Sequence, residues 1–98
     1  MAQAMLEGLR HKAIELGMRE WARTFETLID VLYKHKPTNL DYDIIQDGGT
    51  IIVKRIILPT TSINVNMPIS EVSIENIRIA ISNNLDKIIH EFLESTPG

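Results

Sequence analysis

Apolar residues first recur at Ile14, Met18, Trp21, Phe25, Leu28 and Leu32, with spacings that alternate between four and three. That rhythm keeps one stripe of a helix apolar, and it predicts helix over residues 2–35. Glu15 with Arg19 and Asp30 with Lys34 place opposite charges one turn apart. Lys34, His35 and Lys36 suit the negative end of the helix dipole, and Pro37 is expected to stop the helix. An unbroken helix of this length would reach about 50 Å, against a radius of gyration of about 13 Å for a compact domain of this size. The chain is therefore expected to break near Gly17, or to project its first half as an arm bearing Met5, Leu6, Leu9 and Ala13 towards a partner.

The period then changes to two. Leu40, Tyr42 and Ile44 alternate with Asp41 and Asp43, and Ile63, Val65 and Met67 alternate with Ser62, Asn64 and Asn66. Alternation of this kind belongs to strands with one wet face. Strands are predicted over residues 40–46, 50–58 and 62–67, with Pro68 ending the third. The run "QDGGT" carries a two-residue glycine loop, the strongest short hairpin signal. A turn at Gly48–Gly49 sets Asp47 opposite Thr50, Ile44 opposite Val53, Asp43 opposite Lys54 and Tyr42 opposite Arg55. In that register Lys54 pairs with a carboxylate and Arg55 packs over a ring, so the adjacent cations need no nucleic acid to explain them. Glycine here is a hairpin turn; no phosphate-binding glycine frame surrounds it.

Helical spacing returns at Ile74, Ile77, Ile81, Leu85, Ile88 and Phe92, which predicts a second helix over residues 73–94 with Ser70 or Ser73 as its N-cap. Helix, three short-connected strands and helix make an α+β chain. The expected architecture is a single two-layer domain, helix–three-stranded antiparallel meander–helix, with the strand after the glycine turn in the centre. Both helices are expected to cover the face made by Leu40, Tyr42, Ile44, Ile51, Val53, Ile57, Ile63 and Val65. That leaves Ile45, Ile52, Ile56 and Leu58 as an apolar patch on the outer face, rimmed by Asp41, Asp43, Lys54, Ser62 and Asn64. Contiguous apolar patches with polar rims mark interaction surfaces. The expected partner or dimer interface is Ile45, Ile52, Ile56 and Leu58 on the sheet, or Leu6 and Leu9 on the N-terminal arm.

Composition narrows the chemistry. The 98 residues are 44% hydrophobic and contain no cysteine. That is enough for a core without staples, and it excludes disulfides, thiolate zinc sites and a cysteine nucleophile. No run approaches the roughly 18 apolar residues that span a bilayer, and the first residues lack the apolar segment of a signal peptide, so a cytoplasmic location off the membrane is expected. Net charge is −3. Cations outnumber carboxylates by one over residues 1–38, and carboxylates dominate the remainder. The alternative reading, a small nucleic-acid-associated protein, would place phosphates on Arg19, Arg23, Lys34 and Lys36, although acids are interspersed on the same helix.

Catalytic chemistry finds no convergent set. His11 with Glu15 and His90 with Glu94 give two ligands apiece, too few for zinc. Asp41 and Asp43 could act as acid and base, but their alternation with apolar residues reads as a solvated strand face. No serine sits in a nucleophile elbow. No enzyme activity, cofactor or metal is expected. In topology alone the predicted order is similar to small nucleoid-associated proteins and to the Alu-domain proteins of the signal recognition particle, which dimerise and bind nucleic acid. It is also similar to small acidic secretion chaperones, which bind partner chains. No motif is shared, and topology by itself does not carry function. The expectation is a non-enzymatic interaction module that pairs with itself and docks an unknown protein.

Overall fold

The computed structural model describes residues 2–35 and 40–97. Its elements run α1 (Ala2–Glu15), α2 (Arg19–Ile29) continued by a π-helical turn (Asp30–Lys34), β1 (Asp41–Asp47), β2 (Thr50–Ile57), β3 (Ser62–Pro68), a 3-10 turn (Ile69–Glu71), α3 (Ile74–Asn83) and α4 (Leu85–Ser95). The fold is α+β: two helices, a three-stranded antiparallel meander in the order β1-β2-β3, and two more helices.

The first helix does break at Gly17, and the break reverses the chain. Gly17 takes a left-handed φ of 74°. Its N–H donates to the Ile14 carbonyl at 3.0 Å, and the Met18 N–H donates to the Ala13 carbonyl at 2.8 Å. Those two bonds form a Schellman stop, the usual way a glycine closes a helix. α1 then packs along α2 instead of projecting. Leu6 and Ala13 enter the core and Leu9 packs against it, so the free arm expected from helix length is corrected to one half of a helical hairpin. The break also rotates Ile14 out of the stripe and into solvent, while Trp21, Phe25, Leu28 and Leu32 stay buried. At the far end of α2, the π turn closes on His35 in the left-handed region, and Lys34 lies 3.9 Å from Asp30. Pro37, the expected stop, falls outside the described residues.

The C-terminal helix is two helices. Ser73 caps α3 through its Oγ, which accepts the Asn76 N–H at 3.1 Å. The chain turns at Asn84, whose side-chain amide donates to the Ala80 carbonyl at 2.7 Å. That local bond gives the backbone an alternative to continuing the helix. Ile77, Ile81, Ile88 and Phe92 are buried as expected, whereas Ile74, in the first turn, is exposed.

The core lies between the helices and one sheet face. Phe25 and Phe92 meet edge to face at 5.0 Å, and Trp21 sits 5.4 Å from Phe92, so the aromatic trio joins α2 to α4. Buried aromatic pairs of this geometry add about 0.5–1.5 kcal/mol beyond their area. Leu28, Ile56, Ile63, Ile81 and Ile88 fill the same cluster. Thr24, the one buried polar residue among those described, donates to the Glu20 carbonyl or shares its hydroxyl with Thr60 at 2.9 Å. That contact ties α2 to the loop between β2 and β3 and satisfies the buried Thr24 hydroxyl.

Candidate interaction surface

The hairpin is built from its turn outward. Gly48 and Gly49 take φ of 57° and 90°, left-handed angles that glycine adopts with no Cβ penalty and that match the strand twist. Asp47 pairs with Thr50 and Ile44 with Val53, as the loop length dictates. Beyond Val53 the register slips. Asp43 pairs with Arg55 and Tyr42 with Ile56, because Lys54 forms a β-bulge opposite β1. The expected Asp43–Lys54 and Tyr42–Arg55 neighbours are thereby overturned. The Arg55 Nε donates to Asp43 at 2.9 Å, and its terminal nitrogen reaches the same carboxylate oxygen. Lys54 instead reaches the Asn66 carboxamide on β3 at 3.5 Å.

The bulge also exchanges the faces of β2. A period-2 strand shifted by one residue moves every later side chain to the opposite side. Ile56 and Leu58 turn inward and are 1% and 4% exposed, while Ile57 turns outward at 40%. Ile56 and Leu58 are therefore core residues, not outer-face residues, and the same holds for Leu6 at 0%. Of the expected interface positions, Ile45 and Ile52 remain on the outer face, and Leu9 is half-buried beside the core. The inner rows run Tyr42–Ile56–Ile63 and Ile44–Val53–Met67. Burial raises the Tyr42 phenol above its ordinary pKa of 10.0.

On the outer face the pairing sets Ile45, Ile52 and Pro68 in one row across all three strands, Asp43, Arg55 and Asn64 in the next, and Asp41, Ile57 and Ser62 in the third. Apolar, charged and mixed rows thus alternate up the sheet. Asp43, Ile45, Lys54, Arg55, Asn64 and Val65 border a shallow depression of about 490 Å³ on this surface. At the turn end the helical layer runs out. Ile44 and Ile51, on the inner side, are 53% and 40% exposed, and Ile45, on the outer side, is 47% exposed. The hairpin end is therefore bare apolar surface on both faces; the patch expected from sequence held Ile45 but neither Ile44 nor Ile51.

The remaining candidates stay apart. Arg19 and Arg23 are exposed on α2, and Arg23 borders a cleft of about 550 Å³ with Glu20 and Asp41. Lys34 is paired with Asp30, and Lys36 lies outside the described residues. His90 lies 2.6 Å from Glu94, and among the described residues no three His, Asp or Glu side chains gather as a metal site. Asp41 and Asp43 sit in adjacent rows of the outer face, Asp43 held by Arg55. Among the described residues no helix is long and apolar enough to cross a membrane. Comparison with family models, curated proteins and solved structures found no match to this chain.

The positions missed from sequence, Ile57, Ile44, Ile51 and Pro68, all follow from the bulge or from where the helices end. The bulge had a signal. Two adjacent charged residues cannot both face water in a regular strand, and a bulge at Lys54–Arg55 lets them do so.

Proposed function

We propose that this chain is a non-enzymatic protein-interaction module whose first partner is a second copy of itself. Docking uses the outer sheet face and the bare hairpin end. The observation that carries this reading is the Ile45–Ile52–Pro68 row, continuous across three strands on the outer face, with Ile45 exposed and Ile52 and Pro68 half-buried. The row is flanked by both signs of charge, Asp43 with Arg55 and Lys54 beside them, so a two-fold copy can set carboxylate against cation around an apolar centre. Each Å² of apolar surface removed from water contributes about 25 cal/mol, against an association cost of roughly 4–15 kcal/mol.

Phosphate binding through Arg19, Arg23 and Lys34 is the weaker reading, because Glu20 and Asp41 line Arg23's cleft and Asp30 pairs with Lys34. Sedimentation equilibrium of the wild type and of the double variant Ile45→Asp, Ile52→Asp tests the proposal. A wild-type dimer that becomes a monomer in the variant, with helical circular dichroism unchanged, is the expected result. Equal masses for the two proteins would remove the sheet face from the account.

A further inference from the structure

The two free edges of the sheet differ in a way that the dimer reading does not use. β1 carries Asp41, Asp43 and Asp47 along its length. Charge along an edge discourages a second strand from adding there. β3 carries no charge from Ser62 to Pro68, and its outward main chain takes no hydrogen bond from any other element among the described residues. An edge strand's unpaired N–H and C=O groups are a template for another strand.

Beside that edge lies a groove of about 390 Å³ between β3 and α3. Five of the chain's six asparagines line it: Asn64 and Asn66 from β3, and Asn76, Asn83 and Asn84 from α3 and its C-cap. A carboxamide offers a donor and an acceptor together, the same pair a peptide bond presents. The Asn64 and Asn83 side chains make no hydrogen bond among the described residues, while the Asn76 and Asn84 side chains spend one N–H on the Glu71 and Ala80 carbonyls and keep their oxygens. Between the amides, Val65, Met67 and the exposed Ile79 supply apolar surface, and Glu71 is the one charged residue in the lining.

We infer that this groove takes an extended peptide of another protein, added to β3 as a fourth strand. Main-chain hydrogen bonds to β3 hold it, and the asparagines on the α3 side meet its outer edge. Its alternate side chains are apolar where they enter between Val65, Met67 and Ile79, and uncharged where they cross the amides. A second copy of β3 fits less well. The register between β2 and β3 slips between Val53 and Arg55, which puts the irregularity of β3 at Val65–Asn66, the middle of the strand. Two-fold self-pairing about that point would set one irregularity against the other and interrupt the ladder at its centre.

The groove shares Asn64 and Val65 with the border of the proposed dimer face but contains neither Ile45 nor Ile52, so substitutions at Ile45 and Ile52 let the two proposals fail separately. The test selects binders from a displayed library of random linear peptides of about eight residues, the length of a strand. Resynthesised peptides are then titrated against the wild type, Ile79→Arg, Asn64→Lys and the Ile45→Asp, Ile52→Asp double variant. Ile79 and Asn64 are exposed, so both single variants should keep the fold, which circular dichroism checks. The expected result is an uncharged, alternating consensus whose binding falls about tenfold or more in Ile79→Arg and in Asn64→Lys, with none lost in the double variant. Amide signals of residues 62–68 and 76–84 should shift on binding. No enriched peptide, binding indifferent to Ile79→Arg and Asn64→Lys, binding lost in the double variant, or a dimer whose β3 amides become protected would each overturn the assignment.

Discussion

The two ends of this molecule use the same residue type for opposite purposes. Beneath the four helices, Ile56, Ile63, Ile81 and Ile88 are buried against Phe25 and Phe92. At the turn end of the hairpin, Ile44, Ile45 and Ile51 stand in solvent, with no helix over them among the described residues. Isoleucine content therefore says nothing about which residues are core. Position relative to the helical layer decides it, and the bulge at Lys54 lies at the boundary, where the inward-facing set changes from Val53 to Ile56 and Leu58.

Ile56→Asp should break this division most severely. The bulge turns Ile56 inward and its neighbour Ile57 outward, so a carboxylate at 56 is buried without a partner and should cost more than about 4 kcal/mol, whereas Ile57→Asp should cost less than about 1 kcal/mol. Urea denaturation should show a large fall in midpoint for Ile56→Asp alone; equal falls for the two would mean that the bulge does not assign the faces. The contrast between the ends can be measured directly with two truncations. Phe92→Ala, beneath the helices, should lose about 3–5 kcal/mol, a large part of the whole stability of a domain this size. Ile44→Ala, at the bare end, should stay within about 0.5 kcal/mol of wild type in dilute solution. Comparable losses from both would erase the distinction. The smallest effect belongs to the charged row between the ends. Asp43→Asn removes an exposed ion pair and should cost less than about 1 kcal/mol, with the difference shrinking in high salt.

Much of this division could be read from sequence, up to an identifiable point. The Gly48–Gly49 loop fixed the pairs Asp47–Thr50 and Ile44–Val53, because turn chemistry sets register for as long as the ladder is regular. It could not carry past Lys54, so Ile56, Leu58 and Ile57 were expected on the wrong faces. Gly17 marked the break in the first helix. The return of α1 along α2 depends on Leu6 and Ala13 finding partners in the core, which is tertiary information. The turn at Asn84 was hidden because the apolar stripe runs through it unbroken, from Ile81 to Leu85 and Ile88. The asparagine groove draws its residues from positions up to twenty apart, and only the packing of α3 beside β3 gathers them.

The central claim, that the bare hairpin end and outer sheet face dock a second copy, is tested most directly by hydrogen–deuterium exchange at rising protein concentration. Exchange in the segment from Ile44 to Val53 should slow as concentration rises, while α1, α2 and α4 stay constant. Concentration-independent exchange in the hairpin, or protection appearing on α1 or α2 instead, would contradict it.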